Sequence, residues 1–328
     1  MPPLTLRLRL RLRHRPHPLL LLSRHYASKE PPHLLVTNIK APSSGTVRLL
    51  ELNRPRARNA LSVELVRSLR REFEDVRAQY DGVDGKEVAS SDEGDAPTRA
   101  LVIASAVDAC FCAGADLKER RSFTAQQTTE FLSSLRETMN DLSCLPIPTI
   151  AAISSLALGG GLELALCTHL RVMTTNAKVG LPETRLAIIP GAGGTHRLAD
   201  VIGRTRARDL ILTGRRVAAP EAYFLGLADR LVELPPDDDG NGRDGDDDKS
   251  QEARLLHTAR VAARSEALRL AFEICEGGPV AIRAAVEAVA APSPLKEADM
   301  YRRVVDTDDR NEALAAFQEK RKPVFKGC

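Results

Sequence analysis

The chain has 328 residues, 43% of them hydrophobic, with 47 Lys+Arg against 44 Asp+Glu for a formal charge of +3. That length encloses one large core or two modest ones, and the near-balance of charge argues against a dedicated nucleic-acid binder. No run of about 18 apolar residues occurs, so no membrane-spanning helix is expected.

The charge is unevenly placed. Residues 1–28 carry Arg7, Arg9, Arg11, Arg13, Arg15 and Arg24 and no acid, so the rest of the chain is near −3. Alternating Leu and Arg followed by Leu19–Leu22 is the composition of a mitochondrial transit peptide, expected over 1–26 with a leader over 27–45. A basic arm for RNA is the alternative and carries less weight. Of the six cysteines, Cys110 and Cys112 lack the spacing of a CxxC unit, and no second pair accompanies them. No histidines fall at metal-ligand spacing, so buried inert thiols and no metal are expected.

Val47–Leu52 predicts a strand. Leu61, Leu65, Leu69, Phe73 and Val76 then recur at helical period, with Arg67, Arg70 and Arg71 turned outward. Residues 81–98 form a polar insertion, and Ala100–Ser105 a buried strand. A helix over 124–143 is stopped by Pro146 and Pro148, and a strand follows at Thr149–Ile153. Gly159–Gly161 leads into a helix over 162–167, and Arg171–Thr175 is again a strand. This alternation predicts an α/β fold with largely buried strands. Residues 235–250 mimic a calcium loop at Asp237, Asp239, Asn241 and Gly242, but Asp248 stands where a bidentate Glu belongs, so a solvated insertion is favoured. From 251 onward two or three amphipathic helices reach a basic tail.

The groups able to do chemistry cluster around the glycines. Gly159–Gly161 at a strand-to-helix junction admits a ligand close to the backbone, and the first N–H groups of the helix are free to hold an oxyanion. Glu163 sits in the first turn, where the helix field favours its ionised form; tight packing with a capping-type Glu is an equal reading of the same residues. Glu183, twenty residues on, reads alone as a helix-start carboxylate, but paired carboxylates in unlike surroundings can divide acid and base roles. The small residues of Phe111–Leu117 can present a second backbone N–H to the same oxyanion. Gly191–Gly194 lacks the third glycine of a dinucleotide fingerprint, and neither GxxxxGK[ST] nor GxSxG occurs.

Five segments in order, LNRPRARNAL (52–61), CFCAGADLKER (110–120), IPTIAAISSLALGGGLELAL (147–166), LPETRLAIIPGAGGTHRL (181–198) and AFQEKRKPVFKG (316–327), resemble the enoyl-CoA hydratase/isomerase (crotonase) family. The resemblance implies a crotonase-like α/β spiral of ββα units over 46–255, interrupted at 81–98 and 235–250, and a C-terminal helical trimerisation region over 256–328. It implies an acyl-CoA substrate, a homotrimer or homohexamer, the mitochondrial matrix, and no cofactor, since the thioester itself is the electron sink. By position, Glu163 and Glu183 are the implied catalytic pair, and the N–H groups of Ala113 and Gly160 the oxyanion hole. Gly114, Ala115, Asp116 and Leu117 are implied to wrap CoA, Phe317 and Lys320 to meet the adenine and 3′-phosphate, often of the CoA on a neighbouring subunit, and Arg56 and Arg58 suit its phosphates by charge. Hydration of a short branched or carboxylated enoyl-CoA is expected, with 3-methylglutaconyl-CoA of leucine breakdown foremost. Double-bond isomerisation on the same fold is the nearest alternative. AU-rich RNA binding through Arg67, Arg70 and Arg71 is a more distant one, because acids intersperse that helix.

Overall fold

The computed structural model describes residues 31–82, 85–88, 96–234 and 248–328. The expected transit peptide, half of the 81–98 insertion and the acidic stretch 235–247 lie outside those residues. Ten strands form in chain order: β1 Leu34–Lys40, β2 Thr46–Leu52, β3 Thr98–Ser105, β4 Cys110–Cys112, β5 Thr149–Ile153, β6 Leu156–Leu158, β7 Leu170–Thr174, β8 Lys178–Gly180, β9 Val217–Ala218 and β10 Arg230–Val232. A six-stranded sheet has the order β1-β2-β3-β5-β7-β10, parallel except for β1; a smaller sheet runs β4-β6-β8-β9, with β9 antiparallel. Three successive pairs, β3/β4, β5/β6 and β7/β8, each send one strand to either sheet. Parallel strands covered on both faces need continuous apolar runs, and every residue of β3 and β5 is buried.

The helices fill the spaces between and around the strand pairs. Helix α1, Val63–Ala78, starts where the Ser62 hydroxyl accepts the Leu65 N–H, and it buries Leu65, Leu69, Phe73 and Val76 at three- and four-residue spacing. Leu61, read as part of that helix, instead precedes it and forms a parallel bridge with Ala115. Helix α2, Leu117–Arg120, is a single turn, and α3, Ala125–Ser143, opens on a capping box between Thr124 and Gln127. After β6 comes α4, Gly160–Leu166, followed by α5, Gly194–Ile202, α6, Arg204–Thr213, and α7, Ala219–Phe224. Helix α8, Asp248–Cys275, places Ala259, Ala263, Ala267 and Ala271 at every fourth position. Those small side chains let it lie against the outer face of the large sheet, on β3, β5 and β7. Helices α9, Pro279–Ala290, α10, Pro294–Val305, and α11, Asp308–Glu319, complete the chain.

Some expected boundaries shift. The stretch set aside as a leader, 27–45, contains β1, whose pairing along β2 is main-chain; only Leu34 of its side chains is buried, so no apolar alternation marked it. The insertion at 81–98 gives way to β3 at Thr98, and a bridge joins Tyr80 to Glu87. The division at 255/256 falls inside α8, which starts at Asp248, and four C-terminal helices form where two or three were expected. On α1 the basic face is largely neutralised: Arg67 pairs with Glu64, and Arg70 with Glu74 and Glu137. Burial pushes the thiols of Cys110, Cys112 and Cys167 up to about 12, which keeps them protonated and unreactive.

Candidate active site

Strands β4 and β6 are parallel neighbours, with Cys112 opposite Ala157, so both chains leave the small sheet at the same edge. Beyond β4 the backbone runs through Ala113–Asp116 into α2; beyond β6 it turns at Gly159 into α4. The two loops touch. Gly114, at φ +95°, could not carry a side chain, because a Cβ there would stand 2.6 Å from the Leu158 carbonyl and 3.2 Å from the Gly160 nitrogen. Gly160 is the first residue of α4, so its N–H has no acceptor within the helix. These loops form one wall of a cleft of about 510 Å³.

Both glutamates face that cleft. Glu163 lies in the first turn of α4 and is 3% exposed. Its Oε1 accepts the N–H groups of Ala192, at 2.8 Å, and Gly194, at 2.9 Å. The Gly191–Gly194 segment is therefore a cradle for this carboxylate, and it is itself strapped by Arg136 to the Gly191 carbonyl and by Arg197 to the Ala192 carbonyl. Burial pushes the Glu163 carboxyl above the ordinary range, opposed by those two N–H donors and by the charges of Arg197 and Arg120. The field of the helix alone would have kept it low; desolvation outweighs that expectation.

Glu183 begins a single 3₁₀ turn, Glu183–Leu186, and lines the same cleft, its carboxyl lying against Gly159. A Cβ on Gly159 would come within 2.9 Å of its Oε1, so that glycine, at φ +53°, makes room for the carboxyl. Its Oε2 is buried without a hydrogen-bond partner. Burial, reinforced by the nearby charge of Glu163, raises this carboxyl to about 7. The two carboxyls thus differ: one is tied down by two amides, the other keeps one oxygen without a partner and is half-titrated near neutral pH.

The enoyl-CoA hydratase/isomerase family profile matches residues 86–238. Over 317 residues the chain is 59% identical to methylglutaconyl-CoA hydratase 1, mitochondrial, of Pyricularia oryzae, covering 93% of this chain and 90% of that protein. This chain belongs to the enoyl-CoA hydratase/isomerase family. It is 37% identical to the human mitochondrial methylglutaconyl-CoA hydratase, across 93% of this chain and 81% of that one. The crystal structure of an enoyl-CoA hydratase from Bacillus anthracis superposes with a TM-score of 0.71 at 36% identity, covering 89% of this chain and 99% of that chain. The chain is an enzyme of this family, a hydro-lyase with a crotonase-like fold.

The hydratase/isomerase cleft gathers seven of the expected site residues: Ala113, Gly114, Ala115, Leu117, Gly160, Glu163 and Glu183. One assignment among them changes. The Ala113 N–H donates to the Arg58 carbonyl at 3.0 Å, so it is not available to an oxyanion. Ala115 is the free one. In its parallel bridge to Leu61, the bonds are made by the Leu61 N–H to the Gly114 carbonyl and the Asp116 N–H to the Leu61 carbonyl. The amide of Ala115 therefore points away from Leu61 and has no partner among the described residues, beside the equally free Gly160 N–H.

Other expected contacts fall elsewhere. Asp116 caps α2 by accepting the Glu119 N–H and pairs with Arg54 at 3.0 Å; it does not line the cleft. Arg56 and Arg58 are exposed and outside the cleft; Lys320 and Phe317, which is 84% exposed on α11, lie outside this chain's own cleft, as residues expected to meet the CoA of a neighbouring subunit would. Sequence reasoning missed Arg120, which lines the cleft at the end of α2, and the apolar wall supplied by Leu132 and Leu135 of α3 with Ile188 and Ile189. Arg120 stands in the run Lys118-Glu-Arg-Arg121, which reads as a solvated face. Among the described residues, no cluster of three or more His, Cys, Asp or Glu side chains is grouped to hold a metal ion.

The raised Glu183 carboxyl has a cost that depends on pH. Between its ordinary value of 4.5 and about 7, the folded state binds more protons at this site than the unfolded chain. Its contribution is therefore most favourable at low pH and is lost as pH rises through 7. Glu183→Gln is expected to raise Tm by a few degrees at about pH 8, with the gain fading by about pH 4. Paired thermal melts at the two pH values check this; a pH-independent difference contradicts it.

Proposed function

We propose that this enzyme adds water across the α,β double bond of a short branched enoyl-CoA, with 3-methylglutaconyl-CoA of leucine breakdown as the acyl group. The observation that carries the reading is the pair Glu163 and Glu183 facing one cleft beside the free N–H groups of Ala115 and Gly160. Those two N–H groups bind the thioester oxygen and stabilise the enolate that forms as water attacks. Glu163, held by the Ala192 and Gly194 amides, orients water and takes its proton as the hydroxyl joins the β-carbon. Glu183, protonated in good part near neutral pH, delivers a proton to the α-carbon. Glu163 is left protonated and Glu183 ionised, and exchange with solvent resets the pair. Addition of water is redox-neutral, so the reading calls for no cofactor.

An isomerase needs one carboxylate to carry a proton between α- and γ-carbons; the second glutamate in the cleft is what favours hydration. The Arg-rich segment before Glu30 and the mitochondrial relatives support the matrix as the compartment. A trimer or hexamer is supported by the exposed apolar groups of the C-terminal helices, Leu295, Tyr301 and Phe317. The test is a panel of crotonyl-, tiglyl-, 3-methylcrotonyl- and 3-methylglutaconyl-CoA. The highest hydration kcat/KM is expected for the last; isomerisation of a 3-enoyl-CoA without hydration of any of the four would overturn the reading.

A further inference from the structure

Arg120 has the features of a group waiting for an anion. It lines the cleft together with Glu163 and Glu183, and its charge acts on both carboxyls. Yet no carboxylate of the described residues lies within ion-pair distance of it, and no hydrogen bond engages its side chain. Its Nε is fully shielded from solvent and unpartnered. Instead, the guanidinium is laid over the Phe131 ring, 4.8 Å from the centroid, and Phe131 is fixed in turn by a tilted contact with Phe123 at 5.8 Å. Stacking holds the plane of the cation while leaving its donors unused.

A partly buried cation without a counter-ion is costly, since it loses hydration and recovers little. Family chemistry gives it no role: proton transfer needs the two carboxyls, and the enolate is met by backbone N–H groups. Apart from Arg136, whose Nε is spent on the Gly191 carbonyl, the other charged side chains lining the cleft are Glu163 and Glu183, so a substrate carrying a second negative charge would be repelled by the glutamates. A guanidinium lining the same cleft is the group that would admit such a charge and grip it through two parallel N–H bonds.

Building on the hydratase reading, we infer that Arg120 is the specificity-determining residue that selects an acyl chain ending in a free carboxylate. The Phe123–Phe131 pair positions it. Two thioesters that differ only in that group, 3-methylglutaconyl-CoA and 3-methylcrotonyl-CoA, provide the probe. The readout is the ratio of their hydration kcat/KM values in the parent enzyme, in Arg120→Gln and in Arg120→Lys.

The parent is expected to favour the carboxylated substrate. Arg120→Gln should reduce that ratio by about 10- to 100-fold, the loss of one charge-assisted contact, chiefly through KM. Arg120→Lys, which retains the charge but not the fork, should recover part of the ratio. If Arg120 merely keeps the glutamates ionised, both substrates lose equally, their pH profiles shift together and the ratio is unchanged; that result overturns the proposal. A parent enzyme that hydrates both equally well also overturns it, while leaving the hydratase reading intact. A parent that hydrates neither overturns both.

Discussion

Glu163→Gln is expected to lower kcat for hydration by about 10³-fold, within the range that one positioned base contributes, with little change in KM. The substitution isolates proton abstraction from structure. Glutamine keeps the shape of the side chain, and its amide oxygen can still accept the N–H groups that Oε1 now receives from Ala192 and Gly194. The cradle formed by Gly191–Gly194 therefore stays occupied, and Leu164, Ala165 and Leu166 of the same helix remain packed in the core. What disappears is the capacity to take a proton from water. Steady-state decay of enoyl absorbance measures the loss, and far-UV circular dichroism with a thermal melt establishes that the variant is folded. A folded variant with parental kcat would remove Glu163 from the mechanism.

The second large effect is expected at Gly160, where the group at issue is a main-chain N–H. Gly160→Pro deletes that donor and should lower kcat by about 10²- to 10³-fold, as loss of one oxyanion donor does elsewhere. Proline is well suited to the first position of a helix, and Gly160 holds that position in α4. Gly159 has no Cβ to collide with the pyrrolidine ring. The new Cβ would meet the Leu61 Cδ1 at 3.0 Å, the movable end of a side chain. Binding of the CoA portion should persist, so KM should move far less than kcat. An unchanged kcat in the folded variant would show that the thioester oxygen sits elsewhere.

Much of this site could be read from the residues. Glu163 and Glu183 were legible because a carboxylate after a glycine run and another after a strand are few in any chain, and the motifs around them fix their order. Which alanine donates was not. Ala113 and Ala115 flank the same glycine, and only the Leu61 bridge, a contact between residues 54 positions apart in sequence, turns one amide to Arg58 and frees the other. Arg120 was hidden for a different reason. A basic run with an interposed acid has the pattern of a solvated face, and nothing local says that Phe131, on the next helix, draws one arginine inward. Strand β1 escaped because sheet edges are held by main-chain bonds, so six of its seven side chains are not buried and carry no alternation. The glycines of 191–194 were seen but misread as a failed nucleotide loop; their partner is a carboxylate from another helix.

In the proposed mechanism, two unlike glutamates and two backbone amides drive addition of water to an enoyl thioester. The most direct measurement is the mass of the product formed by purified enzyme from 3-methylglutaconyl-CoA in ¹⁸O-labelled water. The predicted product is heavier than the substrate by one labelled water, with the heavy oxygen on the β-carbon. A product of the same mass as the substrate, with only the double bond displaced, would contradict the account.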